Sequence, residues 1–213
     1  MSEEKVPAPE KRTFWFTMAR GLTWFLGHTF FPVRYTGREY TGLDAPFILV
    51  SNHKHWLDPL VVGNGIKRYE VRFLGKKELV KTKVGAWLME KLHMIMVDRH
   101  NSDLKAMRDC VNVIRQGHVL GIFPEGTRCK ETTLEHMENG CAFIALRAKV
   151  PLLPVLIDKP CKLFRLTKVT YGPAVDISDL VAEGISNETA EKLNERLRTA
   201  ILSLADGGDD GKK

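Results

Sequence analysis

The chain has 213 residues, 44% of them hydrophobic and 27% charged, which is enough for one sizeable core with appendages and too little for a second full domain. Lysine and arginine number 32 against 26 acidic residues, a net charge of +6, and this points to anionic partners (membrane phospholipid, phosphorylated substrates or nucleic acid) without choosing among them. Cys110, Cys129, Cys141 and Cys161 show no C-x-x-C spacing, no disulfide framework and no secretory signal ahead of them, so a reducing, cytosolic setting is expected.

Residues 1–12 are charged and proline-bearing and read as a disordered lead; residues 206–213, with Gly207, Gly208 and Gly211, read as a disordered tail. Residues 13–32 hold Phe14, Trp15, Phe16, Trp24, Phe25, Phe30 and Phe31, seven of the chain's 18 aromatic residues. On a helix, Thr13, Thr17, Arg20, Thr23 and Gly27 make a narrow polar stripe on an otherwise apolar, aromatic surface. A spanning helix needs about 20 mostly apolar residues, and Arg20 sits in the middle of this one. The expectation is an amphipathic segment lying in the membrane interface, with Lys11 and Arg12 near anionic headgroups; packing against the protein's own core is the alternative.

From residue 33 the pattern becomes α/β. Short apolar runs predict strands over 34–36, 46–51, 71–74, 94–97, 118–123, 151–157 and 168–171. Helical spacing predicts helices over 57–66, 85–92, 102–116, 137–149 and 187–204, the last with Leu193, Leu197, Ile201 and Leu204 on one face. The fold class expected for 33–205 is a single α/β domain with a mixed, mostly parallel central sheet flanked by helices. No internal repeat is evident.

Two stretches carry chemistry. The strand at Ile48-Leu49-Val50 runs into Ser51-Asn52-His53 and then Asp58, a His-x4-Asp spacing. If the chain turns after Asn52 and a helix begins near Trp56, Asp58 falls in its first turn and can reach back to the imidazole, fixing its tautomer and stabilising its protonated form. Such a dyad suits deprotonation of a substrate hydroxyl, and no nucleophilic serine is required. The second stretch is Leu120-Gly121-Ile122 followed by Phe123-Pro124-Glu125-Gly126-Thr127-Arg128, which offers a guanidinium, a hydroxyl and backbone amides around a glycine, a set that suits phosphate oxygens.

Together these motifs resemble the glycerolipid acyltransferases, and most closely those that acylate 1-acyl-glycerol-3-phosphate to phosphatidic acid. Phe73-Leu74-Gly75-Lys76-Lys77-Glu78-Leu79, Met96-Val97-Asp98-Arg99 and Val150-Pro151-Leu152-Leu153-Pro154-Val155 are similar to the family's other blocks and occur in its order. The resemblance implies His53 as general base, Asp58 as its orienting partner, and Glu125, Gly126, Thr127 and Arg128 at the acceptor's phosphate. Arg99 is a second cation there and Lys76 or Lys77 a third. It further implies lysophosphatidic acid as acceptor and acyl-CoA or acyl carrier protein as co-substrate, with no other cofactor and no metal. It places the enzyme peripherally or monotopically on the cytoplasmic face of a membrane, in contact with phospholipid.

Other readings stand beside this one. An acceptor such as glycerol 3-phosphate or another lysophospholipid fits the same motifs. His53-x-His55 with Asp58 has a superficial likeness to a zinc hydrolase cluster, though Leu57 and Asp58 stand where a metallo-β-lactamase pattern needs an aspartate and then a histidine. A thiol nucleophile at Cys129 or Cys141 paired with His53 is conceivable for a thioester reaction. Lys130 and Lys149 are candidates for coenzyme A phosphates. A non-enzymatic basic binding module is the remaining class; no RNA-binding signature or helix-turn-helix pattern supports nucleic acid as a partner.

Overall fold

The computed structural model describes residues 14–76, 82–97, 103–129 and 131–205. The expectations for residues 1–13 and 206–213, and those for Lys77, Arg99 and Lys130, lie outside these. Among the described residues the strands are β1 (Val33–Thr36), β2 (Ile48–Ser51), β3 (Val71–Lys76), β4 (Ile95–Val97), β5 (Val119–Ile122), β6 (Leu152–Ile157) and β7 (Thr167–Tyr171). The helices are α1 (Phe14–Thr29), α2 (Asp58–Gly65), α3 (Lys83–Lys91), α4 (Asp103–Arg115), α5 (Asn139–Ala148), α6 (Ser178–Glu183) and α7 (Asn187–Ser203).

The strands form one sheet in the order β1-β7-β6-β2-β5-β3-β4. Strands β6, β2, β5, β3 and β4 run parallel, while β7 pairs antiparallel with β6 and carries β1 parallel to itself on the outer edge. This is the mixed, mostly parallel sheet expected. Its central strands are buried on both faces: all four residues of β2 and of β5 are buried, which is why they read as unbroken apolar runs.

The period of two along each strand divides the core. Ile48 and Val50 of β2 join Leu152 and Leu156 of β6 on one face, under α4, α5, α6 and α7. Phe47 and Leu49 join Leu153, Val155 and Ile157 on the other face, with Val61 and Val62 of α2. Helix α7 opens on a capping box, the Ser186 side chain accepting from the Thr189 amide and the Thr189 hydroxyl accepting from the Ser186 amide. It buries Leu193, Leu197 and Ile201 at the predicted spacing.

The connections after β2 and β5 diverge. From β2 the chain passes through α2 on one face toward β3; from the adjacent β5 it passes through α5 on the other face to β6. The carboxyl ends of β2 and β5 therefore form a topological switch point, the position where an open α/β sheet takes its ligands. The chain turns there at His53 and at residues 123–128.

Helix α1 is placed beside α2, and its first turn meets α3 through Trp15, whose ring stands edge-on to Trp87 with 5.0 Å between centroids. Phe14, Met18, Leu22 and Phe25 are exposed at steps of four, four and three residues, so α1 turns an apolar row to solvent. Among the described residues no helix is long and apolar enough to cross a membrane.

Candidate active site

Helix α2 begins at Asp58, with Pro59 at the position where a missing N–H costs nothing, and that start fixes the loop before it. Asp58 is fully buried, and its Oδ2 accepts from His53 Nδ1 at 2.9 Å, from the Lys54 amide at 2.6 Å and from the His55 amide at 2.7 Å. The carboxylate therefore winds residues 53–55 around itself. An aspartate can only accept, so the His53 Nδ1 carries the proton and Nε2 is the nitrogen left to take one from a substrate. The His53 side chain keeps 18% of its surface exposed, enough to be reached from solvent.

Two more contacts hold the histidine's backbone. The His53 amide donates to Glu125 Oε2 at 2.7 Å, and the His53 carbonyl accepts from the Cys129 amide at 2.8 Å. The loop after β5 thus clasps the histidine's main chain on both sides. Glu125 is buried and spends Oε2 on the His53 amide; the resemblance implies this same residue at the acceptor's phosphate. Gly126, Thr127 and Arg128 form the outer part of the loop. Gly126 has φ 61°, a left-handed turn that glycine adopts without strain, and Thr127 and Arg128 are exposed at the switch point.

The imidazole ring is positioned by packing. Phe123 stacks on His53 with 4.3 Å between ring centroids, and Phe73 stacks on Phe123 at 5.6 Å. Phe73 fits because Gly121 has no side chain: a Cβ there would stand 2.3 Å from the Phe73 ring. Asn52 locks the next strand, its amide accepting from the Ile157 N–H at 2.8 Å and donating to the Ile157 carbonyl at 2.9 Å. The sequence gives no positional signal for the roles of Phe73, Phe123, Gly121 and Asn52. The register of β5 and β6 beside β2, and of β3 beside β5, brings them to the histidine.

The remaining candidates are distributed as follows. Lys76 ends β3 on the same carboxyl edge as His53, and its backbone pairs with Val97 of β4. The Lys149 backbone closes α5 at φ 56°, just before β6 begins, so it stands at the opposite edge of the sheet and does not suit a coenzyme A donor at this site. The thiol reading fares poorly. Cys141 is on the buried face of α5, where burial pushes its thiol up to about 12. Burial, and after it the Glu125 carboxylate, raise the Cys129 thiol above its ordinary value, which reduces the thiolate a nucleophile needs. His55 spends its amide on Asp58, and its ring Nδ1 faces the Leu57 amide at 3.4 Å. Among the described residues no three His, Cys, Asp or Glu side chains converge so as to hold a metal ion.

A model of the family described as Acyltransferase matches residues 32–158. The chain is 28% identical over 174 residues to the 1-acyl-sn-glycerol-3-phosphate acyltransferase of Bacillus subtilis, spanning 78% of this chain and 86% of that protein. It is 29% identical over 167 residues to the 1-acyl-sn-glycerol-3-phosphate acyltransferase of Streptococcus pneumoniae, covering 76% of this chain and 61% of that one. The crystal structure of the 1-acyl-sn-glycerophosphate (LPA) acyltransferase from Thermotoga maritima superposes with a TM-score of 0.66 at 22% identity, over 93% of this chain and 80% of that chain.

Proposed function

From the chain's membership of the acyltransferase family, whose match takes in both the dyad and the loop after β5, we propose that it transfers a fatty acyl group to the sn-2 hydroxyl of 1-acyl-glycerol-3-phosphate, forming phosphatidic acid for phospholipid biosynthesis. The observation that carries the reading is the His53–Asp58 pair, solvent-reachable at the switch point and clasped by residues 125–129. The relatives' names supply the acceptor.

In this reading the acceptor's phosphate lies at the turn made by Gly126, whose own amide donates to the Phe123 carbonyl, and meets Thr127 and Arg128, joined by Arg99 and one of Lys76 and Lys77. Its hydroxyl approaches His53 Nε2. As Nε2 takes the proton, the hydroxyl oxygen attacks the thioester carbonyl of acyl-CoA or acyl carrier protein. The tetrahedral adduct collapses with loss of the C–S bond, and the departing sulfur takes the proton back from the imidazolium. Asp58 stabilises that imidazolium and restores the tautomer. The chain supplies no covalent intermediate.

The acceptor keeps its acyl chain in a bilayer while its phosphate lies at the surface, so the domain works as a peripheral or monotopic enzyme on the cytoplasmic face. The outward apolar row of α1 supports this placement. Loss of coenzyme A thioester, followed across a panel of acceptors, tests the function: 1-acyl-glycerol-3-phosphate should outpace glycerol 3-phosphate and uncharged lysolipids, and the reverse order overturns it. Arg128→Ala should raise KM for the phosphorylated acceptor by about tenfold or more and leave that of the donor little changed, because a charge-assisted contact to phosphate contributes about 1.5–3 kcal/mol. A change confined to the donor would reassign the loop to coenzyme A.

A further inference from the structure

The connection between β6 and β7 departs from the usual chemistry of a hairpin tip. Residues at the tip of a hairpin are ordinarily Gly, Asn, Asp, Pro or Ser, because the turn is solvated and its central positions need special backbone angles. Here Lys162 and Arg165 pair across a tight turn, the Arg165 amide donating to the Lys162 carbonyl at 3.1 Å, and the two residues at the tip are Leu163 and Phe164. Phe164 holds the left-handed region at φ 56°, a conformation that a bulky aromatic rarely adopts. Both side chains face solvent, Leu163 at 55% and Phe164 at 67% exposure, and Leu166 behind them stays half exposed.

The hairpin is held firmly at its root. Asp158 accepts from the amides of Lys159 and Lys168, each at 2.7 Å, and Cys161 and Thr167 are buried on either side. The Phe164 amide donates to the Phe30 carbonyl at 2.7 Å, and the two rings approach at 5.9 Å, so the tip leans on the segment that follows α1. It also belongs to the dyad's edge of the sheet: it leaves from Ile157, the residue whose main chain Asn52 holds next to His53.

From Lys159 to Lys168 the sequence is Lys-Pro-Cys-Lys-Leu-Phe-Arg-Leu-Thr-Lys, cations and apolar residues without one acid. We infer that the hairpin over residues 158–166 is a lipid-docking element, which sinks Leu163 and Phe164 among the acyl chains of an anionic membrane while Lys159, Lys162 and Arg165 meet the headgroup phosphates. The charge of the collar matches anionic lipid, and the apolar tip meets Phe30, which directly follows the helix that exposes Phe14, Met18, Leu22 and Phe25. An acidic protein would satisfy the cations but would leave exposed Leu163 and Phe164 without a counterpart. The inference rests on the peripheral reading of the enzyme, and adds a clamp that presses the dyad's own edge onto the bilayer.

Flotation of the full chain with phosphatidylcholine vesicles containing phosphatidylglycerol tests it. The Leu163→Ser, Phe164→Asn double variant removes the apolar tip, and asparagine tolerates the left-handed backbone. Its partition onto vesicles should fall about tenfold or more, with the thermal melt and turnover of a short-chain, water-soluble acceptor unchanged. Lys162→Glu with Arg165→Glu should lower binding only where phosphatidylglycerol is present. If wild type floats and the tip variant floats equally, the hairpin proposal falls and the α1 reading stands; if wild type does not float, both fall. Unchanged flotation with a raised KM for acyl carrier protein donors overturns the lipid assignment in favour of a protein partner.

Discussion

Two histidine–carboxylate pairs stand at opposite edges of this sheet. At the carboxyl edge His53 Nδ1 meets Asp58 Oδ2 at 2.9 Å; at the amino edge His93 Nδ1 meets Glu70 Oε1 at 2.6 Å. By contact distance alone the second is the better pair, and in each the carboxylate is buried while the histidine is partly exposed. What differs is the surroundings. His53 leaves a parallel strand at the switch point, under Phe123 and within a loop that offers Gly126, Thr127 and Arg128. His93 occupies the left-handed position, φ 50°, that ends α3, where its amide and the next return to the Glu90 and Met89 carbonyls. On the proposed reading the first pair orients a base toward substrate, while the second fastens a helix end to the start of β3. A short imidazole–carboxylate contact therefore does not by itself mark a site; the proposal for His53 rests on its place on the sheet.

The largest contrast is expected on removing the imidazoles' partners or the base itself. His53→Ala and Asp58→Asn should each lower turnover by about 10²-fold or more, the scale on which a general base acts, while Glu70→Gln leaves turnover near that of wild type. Circular dichroism of each variant checks that the fold persists. Asp58→Asn should also melt earlier, since an amide cannot replace a carboxylate that accepts three hydrogen bonds on one oxygen. Near-normal turnover in both active-edge variants would erase the distinction between the pairs.

A smaller effect tests why the active edge is rigid. Glu125→Ala leaves the His53 amide without its acceptor and should cost about 1–3 kcal/mol of stability, with a drop in kcat and a KM for the phosphorylated acceptor that changes less. Glu125→Gln keeps an oxygen facing that amide and should recover most of both. If Glu125 instead contacted substrate, glutamine would fail to rescue and KM would carry the loss.

The distance between these contacts in sequence explains how much could be read in advance. Strands β2 and β5 are legible because buried parallel strands need apolar runs, and α7 because Leu193, Leu197 and Ile201 recur at helical spacing. His53 and Asp58 are close enough in the chain for spacing to suggest their contact. Glu125 is 72 residues from His53, and Asn52 is 105 from Ile157; those roles follow from sheet order, which a single sequence does not display. Helix α6, only six residues long, has too few turns to show a period, and the antiparallel entry of β7 leaves no mark in an apolar run. The tip at Leu163 and Phe164 is hidden for the opposite reason, since apolar residues beside a strand read as core.

The smallest expected effect sharpens the comparison from the inactive edge. His93→Asn removes the ring from Glu70 but keeps a residue that tolerates φ 50°, so the α3 terminus retains its turn. Glu70 then loses one hydrogen-bonding partner in a buried setting, and the imidazole's share is modest because its ring is about a third exposed. Stability should fall by about 1 kcal/mol, which in a domain of this size lowers Tm by roughly 2–4 °C. His93→Ala adds the strain of alanine in the left-handed region and should fall further. Turnover and KM should stay at wild-type values in both, because β4 continues from His93 toward the active edge through backbone pairing with β3, Leu74 to Ile95 and Lys76 to Val97, which neither substitution touches. Thermal melts alongside initial rates decide the matter: lost turnover at an intact melt would make the amino-edge pair a partner in the chemistry and undo the contrast between the two edges.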